Sequence, residues 1–174
     1  MCSVLDATFG DTKQSAVYSV IHSRSMEGEP GYKLLGRIAE NSGCDPRAAI
    51  NLEPEYVKGI LKPLGMMNQP IIFITDNQRP KILERLKSDP EIGPLIHLIP
   101  EETSWVGGDI TIATMSTVFL GNPASSFSGF IAKSRVALGY TTNYLFRRRN
   151  EDGQWIDVCD ATCVFDKKIL NTMA

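Results

Sequence analysis

The sequence predicts an α/β domain built on a mainly parallel β-sheet with helices on both faces, followed by a C-terminal β-hairpin. Short apolar runs alternate with longer amphipathic runs along most of the chain. Strands that alternate with helical patterns are typical of β-α-β units, in which helices cover a parallel sheet on both sides. The 174 residues, 43% of them hydrophobic, are enough for one core, and a net charge of −2 does not favour a general nucleic-acid binder.

The first half of the chain contains two predicted strands and three predicted helices. Residues 16–21 (AVYSVI) are rich in β-branched and aromatic side chains and predict a buried strand. Residues 29–43 show apolar side chains at helical spacing, and a second such run, EPEYVKGILKPLG, is ended by Pro63. Residues 70–75 (PIIFIT) predict the second strand, and RPKILERLKSDP after it predicts a helix that tolerates Pro80 in its first turn.

The second half of the chain continues the same alternation. Residues 95–99 (LIHLI) predict a short strand, TVFLG predicts another, and the alternation requires GDITIATMS between them to be a helix. ASSFSGFIAKSRVALG predicts a helix that ends at Gly139. Residues 141–174 differ, because two β-rich runs flank a turn at residues 151–153. They predict a hairpin packed on the domain formed by residues 1–140.

The chain carries no visible signal for its compartment. MCSVLDATFGDTKQ lacks the basic start and apolar run of a signal peptide, and no apolar stretch reaches the roughly 18 residues that span a membrane. Cys159 and Cys163 could form a disulfide in an oxidising compartment, but their spacing lacks the further ligands of a zinc site. The localisation is therefore open, and no metal site is predicted.

Ligands of parallel sheets bind in the loops at the carboxyl ends of the strands. The first such loop, residues 22–31, begins with His22 and Arg24, which are two apart and therefore share one side of a strand. Arginine is suited to bidentate contact with a phosphate. The alternative is that Arg24 pairs with Glu27 or Glu29, and the sequence leaves both possibilities open.

Two further loops are selected by the same rule, residues 75–79 and residues 121–128. In the latter, Ser125 and Ser126 lie where a helix should begin, and the first turn of a helix attracts phosphate through its amides. The alternative is an ordinary serine N-cap. One serine would suffice for a cap, so SSFS favours a phosphate site. No P-loop, nucleophile elbow or G-x-G-x-x-G motif is present.

With these loops the chain resembles the GDP-fucose-dependent fucosyltransferases, and most closely the protein O-fucosyltransferase-like group. The resemblance covers about residues 16–139 and is carried by H-x-R at residues 22–24, by IIFITD, and by FLGNPASSFSGF, the most specific of the three. It implies a GT-B fold of two Rossmann-like halves, of which this chain matches the C-terminal, donor-binding half. It also implies the lumen of the endoplasmic reticulum or Golgi as the compartment.

The resemblance assigns roles to the predicted loop residues. Arg24 matches the arginine that contacts the β-phosphate and stabilises the departing GDP, and His22 matches a histidine near the nucleotide. Asp109 is the best match for an aspartate that reads the guanine edge. Asp76 lies at the corresponding strand end, where its role could be only to order the loop.

The SSF run completes the implied donor site. Ser125 and Ser126 match residues that bind phosphate, and Phe127 matches a residue that packs beside the base. The implied activity is inverting transfer of fucose from GDP-fucose to a protein or glycan acceptor, without a metal or other cofactor. The family's first half, which supplies acceptor contacts and any general base, has no match in this chain, so the chain is expected to be incomplete as an enzyme by itself.

Two alternatives to this activity stay open. The chain could be a non-catalytic guanine-nucleotide-binding or interaction module derived from such an enzyme. It could also be an unrelated α/β protein that binds phosphate at the same sheet edge.

Overall fold

A computed structural model describes residues 17–24, 33, 52–99, 105–122, 125–144, 147–149 and 155–157. The helix predicted for residues 29–43 lies outside the described residues, apart from Lys33. The strands are β1 (Ser19–Ser23), β2 (Ile71–Thr75), β3 (Ile96–Leu98), β4 (Val118–Leu120), β5 (Asn143–Tyr144), β6 (Arg147–Arg149) and β7 (Trp155–Asp157). The α-helices are α1 (Pro54–Leu61), α2 (Pro80–Ser88), α3 (Val106–Met115) and α4 (Ser126–Ala137).

The central sheet has five parallel strands in the order β3-β2-β1-β4-β5. This confirms the predicted α/β fold with a mainly parallel, Rossmann-like sheet. The chain runs outward from β1 through β2 to β3 and then returns to the other side of β1 to form β4 and β5. The strand order therefore reverses between β1 and β4, and the carboxyl ends of these two strands form the topological switch point.

The two faces of the sheet are covered by different helices. Side chains alternate between the faces along each strand, so Ile21, Phe73 and Leu120 form one core with α1 and α2. Val20 and Phe119 are buried on the opposite face, where Tyr18 Oη donates a hydrogen bond to the carbonyl of Ile112 in α3, 2.9 Å away. Helices thus cover both faces, as the sequence predicts.

The first strand lies two to three residues later than predicted. β1 pairs residue for residue with β2, from Ser19 opposite Ile71 to Ser23 opposite Thr75. Cross-strand pairing sets the length of a strand, and β1 is buried over its whole length, including the polar residues His22 and Ser23 that follow the apolar run. As a consequence, His22 lies inside the sheet and Arg24 is the first residue after it.

Other element boundaries follow local signals more closely. α1 ends before Pro63, and α2 has Pro80 in its first turn, as predicted. α4 is followed by Gly139, whose φ of 88° lies in the left-handed region that favours glycine. The predicted strand 95–99 is shorter, because a 3₁₀ turn (Gly93–Leu95) occupies its first residue. Among the described helices, none combines the length and apolar character that a membrane crossing requires.

The tail begins with a strand of the parallel sheet, where the sequence predicts part of a hairpin. β5 joins the parallel sheet beside β4, with Asn143 opposite Phe119, although residues 141–174 are assigned to a hairpin by sequence pattern. β6 and β7 pair antiparallel, with Arg147 opposite Asp157. Packing of this pair on the sheet stays a prediction, and Cys159 and Cys163 lie outside the described residues.

A buried arginine in α4 forms hydrogen bonds with α3, with the segment that leads into β4, and with β5. The Arg135 side chain is 0% exposed, and its Nη1 donates to the backbone carbonyls that close α3 and lead into β4 (Ala113, Thr114 and Ser116). Its Nε donates to Oδ1 of Asn143 at 2.6 Å, and its guanidinium lies over the ring of Tyr140, 4.9 Å from the centroid. Burial lowers the pKa of Arg135 to about 10, so the group remains charged at neutral pH.

Candidate functional site

The switch point brings together two of the three loops that the sequence selects. β1 delivers His22 and Arg24 to the carboxyl edge of the sheet, and β4 leads through Gly121 and Asn122 to the start of α4. Residues 123 and 124 lie outside the described residues. Because β1 and β4 are hydrogen-bonded neighbours, with Ile21 opposite Leu120, the two loops emerge side by side.

His22 is a buried, neutral imidazole between the sheet and α4. Its residue is 7% exposed, its Nδ1 lies 2.6 Å from Oγ of Ser128, and its ring centroid lies 4.8 Å from that of Phe127. Burial lowers the pKa of His22 to about 4, the charge of Arg24 lowers it further, and the charge of Asp76 opposes the shift. The ring therefore carries no charge at neutral pH.

Ser128 and Asn122 orient this imidazole. Ser128 is fully buried, and its Oγ accepts the backbone N–H of Asn122 at 2.8 Å. With His22 neutral, the Ser128 hydroxyl can donate its own proton to Nδ1, which leaves the imidazole proton on Nε2. Nε2 is then the ring nitrogen that can donate to a ligand.

Asn122 also connects the two loops directly. Its Nδ2 donates to the backbone carbonyl of Arg24 at 3.2 Å. Arg24 itself is exposed at the carboxyl edge of the sheet. The alternative pairing of Arg24 with Glu27 or Glu29 falls on residues outside the described part of the chain.

The three serines at the start of α4 have different roles. Ser125 is the N-cap of α4, and its Oγ accepts the N–H of Ser128 at 3.4 Å. The ordinary serine cap, which the sequence offers as the alternative to a phosphate site, is therefore present. The Ser128 hydroxyl is occupied by His22 and Asn122. Ser126 is exposed in the first turn, where backbone amides have no acceptor within the helix.

The aspartates predicted from sequence lie at the same sheet edge but on other elements. Asp76 follows β2, and its Oδ1 accepts the N–H of Gln78 at 3.2 Å, which orders the loop. Asp109 is half-buried in the first turn of α3. A groove of about 470 Å³ opens beside the loop after β2 and is lined by Gln78, Arg79, Pro80, Lys81, Ile82 and Arg85.

The sequence did not identify two of the residues that organise this site. Both lie within the loop selected by the carboxyl-end rule: the sequence gives Asn122 no role, and it predicts Ser128 as part of the SSFS phosphate site and not as a partner of His22. The S-x-x-S spacing of Ser125 and Ser128 was the available signal, since it places the second hydroxyl one turn into the helix. Its partner, His22, is 106 residues away in sequence, which no local pattern reveals.

The assembled groups suit an anionic oxygen ligand. Arg24, the exposed Ser126 hydroxyl and the first-turn amides of α4 offer donors on two adjacent loops, and His22 lies buried beside them. Within the described ranges, no three His, Cys, Asp or Glu side chains are grouped so that they could hold a metal ion. Comparison of the chain with protein-family models, curated proteins and solved structures finds no match.

Proposed function

We propose that this chain binds GDP-fucose at the switch point between β1 and β4 and serves as the donor half of a fucosyltransferase-like glycosyltransferase. The observation that carries the proposal is the bond from Asn122 Nδ2 to the carbonyl of Arg24, which holds the arginine loop beside the first turn of α4. An arginine and a helix N-terminus on two adjacent loops support a phosphate ligand. The choice of guanine and fucose rests on the sequence resemblance.

In the proposed complex, each switch-point residue has a separate task. Arg24 contacts the β-phosphate, while Ser126 and the first-turn amides of α4 bind a neighbouring phosphate oxygen. Ser125 contributes to this phosphate contact while it caps the helix. His22, neutral and buried, donates from Nε2, and Phe127, whose ring contacts His22, packs beside the nucleotide.

The two aspartates complete the proposed donor site. Asp109, in the first turn of α3, accepts hydrogen bonds from the guanine edge. Asp76 orders the loop after β2, as its bond to the Gln78 amide supports.

The proposed reaction is a direct displacement at C1 of fucose. The acceptor hydroxyl oxygen forms a bond to C1 while the bond from C1 to the β-phosphate oxygen breaks, and GDP leaves with the electron pair. Negative charge therefore grows on the β-phosphate, where Arg24 stabilises the transition state more than the ground state. The acceptor proton passes to a general base, which the resemblance assigns to an acceptor-binding half together with the contacts to the protein or glycan acceptor.

Replacing Arg24 with alanine is expected to weaken GDP binding by about 10- to 100-fold, because a charge-assisted bond to phosphate is lost. Calorimetric titration with GDP, GDP-fucose, GDP-mannose and UDP-sugars measures the affinities. Guanosine, which lacks phosphate, should bind the variant and the parent equally. Lys62→Ala is a matched control, because it removes an exposed cation, paired with Glu91, at the C-terminal end of α1.

Two results would contradict the proposal. Failure of the parent to bind any guanine nucleotide would overturn the donor assignment, and equal GDP affinity of Arg24→Ala and parent would remove the role of Arg24. Guanine-nucleotide binding without transfer, when an acceptor-binding half is supplied, would instead favour a non-catalytic nucleotide-binding module.

A further inference from the structure

Trp105 is a large apolar side chain left exposed at the start of α3. It precedes the helix as its N-cap residue, with an extended backbone, and 63% of its surface is exposed. Tryptophan is highly buried on average. Its exposure at a ligand-bearing sheet edge therefore calls for an explanation other than core packing.

Two glycines let the indole lie against the helix backbone. A Cβ atom added at Gly107 would lie 2.1 Å from Cζ3 of Trp105, and one added at Gly108 would lie 2.8 Å from its Nε1. The six-membered ring thus covers Gly107 and the pyrrole edge covers Gly108. Glycine lowers helix stability by up to about 1 kcal/mol relative to alanine. The two adjacent glycines, despite this cost, occupy the positions where a Cβ atom would displace the indole ring.

Trp105 lies towards the same edge of the sheet as His22. Helix α3 ends where β4 begins, so its first turn points to the carboxyl edge of the sheet. The Tyr18 hydroxyl donates to the carbonyl of Ile112, so this turn of α3 lies within reach of a tyrosine side chain next to β1. From Ile112 back to Trp105 the helix rises about 10 Å, and from Tyr18 to His22 the strand rises about 13 Å. Trp105 therefore lies near the level of the switch-point site.

Asp109 lies in the first turn of α3, four residues after Trp105. Its backbone N–H donates to the carbonyl of Trp105 at 3.0 Å, which closes this first turn. The indole itself lies over Gly107 and Gly108, so the ring and the Asp109 carboxylate belong to the same first turn of α3. An aromatic plane and a carboxylate in one turn are groups that can recognise a planar base with N–H groups on its edge.

We propose that Trp105, seated on Gly107 and Gly108, is the platform on which the nucleobase of the bound nucleotide stacks. This inference rests on the proposed function and adds a base-binding residue that the sequence resemblance does not assign. The outer face of the indole takes the base, and the first turn of α3 holds the ring in place. Base stacking on an aromatic side chain is tolerant of base identity, so the platform contributes affinity while a neighbouring carboxylate supplies selectivity.

Intrinsic fluorescence isolates this residue, because the chain has only two tryptophans. In a Trp155→Phe background, GDP is expected to quench Trp105 emission saturably, whereas pyrophosphate should bind with little quenching. Trp105→Ala should weaken GDP binding by about 5- to 150-fold and leave pyrophosphate affinity unchanged. Trp105→Phe should recover part of the lost affinity.

Gly107→Ala provides a second test that keeps the tryptophan. The added Cβ meets the far end of the indole and not backbone, so it should push the ring aside without unfolding the helix. GDP affinity should fall although Trp105 is present. Leu138→Ala is the matched control for Trp105→Ala. It removes an apolar side chain that is as exposed as Trp105, at the C-terminal end of α4 and away from the candidate site, and it should leave GDP affinity unchanged.

The outcomes separate the platform from the proposed function. If Trp105→Ala and Gly107→Ala bind GDP as tightly as the parent, the platform is overturned and the donor site stands. Equal weakening of GDP and pyrophosphate would also overturn it, because the change would then act on the whole site. If none of GDP, ADP, UDP and CDP binds, both proposals fail. Quenching by free monosaccharides but by no nucleotide would likewise overturn base stacking.

Discussion

Replacing Arg135 with alanine is expected to lower the free energy of unfolding by about 3 to 5 kcal/mol, the range typical of breaking a buried charged network. The guanidinium is the donor for the carbonyls of Ala113, Thr114 and Ser116, all in the interior. Without it these acceptors lose a charged donor while remaining shielded from water, although the Ala113 carbonyl still accepts from Ser116 Oγ at 2.8 Å. A cavity also forms where the side chain was. A loss of this size is a large part of the stability of an ordinary domain.

Urea unfolding followed by far-ultraviolet circular dichroism measures this effect. Lys133→Ala, on the exposed side of the same helix, is the matched control and should change stability by no more than about 0.5 kcal/mol. Arg135→Lys should fall between the two, because an ammonium keeps the charge but cannot reproduce the planar fork of donors. If Arg135→Ala does not fold, Arg135→Lys still provides the measurement. An Arg135→Lys variant as stable as the parent would show that the carbonyl contacts contribute little.

Acidification is expected to cost the folded chain about 3 kcal/mol through His22 alone, between its ordinary pKa of 6.5 and its lowered pKa of about 4. Burial disfavours the charged ring, so the unfolded chain takes up a proton that the folded chain does not. The contribution of His22 is therefore complete above about pH 6.5 and is lost as the pH falls towards 4. Carboxylates also make the free energy of unfolding depend on pH, so the effect of His22 has to be measured as a difference between the parent and a variant that lacks this histidine.

His22→Asn provides that comparison, because its side-chain oxygen can accept from Ser128 much as Nδ1 does, without titrating. Urea midpoints of parent and variant, measured from pH 7 to 4, should converge as the pH falls. His97→Asn, at the exposed edge strand β3, should keep the steeper profile of the parent. Parallel profiles for parent and His22→Asn would contradict a lowered pKa for this imidazole. Nuclear magnetic resonance of the two histidines can assign the titration to one ring.

The predictions from sequence succeeded where the signal is local. Prolines in the chain mark the end of α1 and the start of α2, and Gly139 marks the end of α4. They were least accurate at β1 and β5, whose extents depend on pairing with β2 and β4. An edge strand of two residues has too short a pattern to be separated from the hairpin that follows it.

The candidate site shows the same division. The loops carrying His22, Arg24 and the serines were found because the carboxyl-end rule needs only the order of strands and helices. Trp105 was missed because an exposed tryptophan before two glycines has no periodicity of its own. The packing of the indole on Gly107 and Gly108 depends on the three-dimensional path of the backbone at the start of α3, so no sequence pattern predicts it.

The α/β class, most helix and strand positions, and the loops that carry the candidate ligand groups follow from local signals in the sequence. Apolar periodicity, proline and glycine act over a few residues, so a short segment is enough to predict their effect. The pairing of β4 with β1 is not predictable in this way, and it is this pairing that brings Ser128 to His22 and Asn122 to Arg24. Those contacts join segments about a hundred residues apart. They depend on which strands pair with each other. Strand pairing is decided by the burial of the whole sheet, and no single segment of the sequence contains that information.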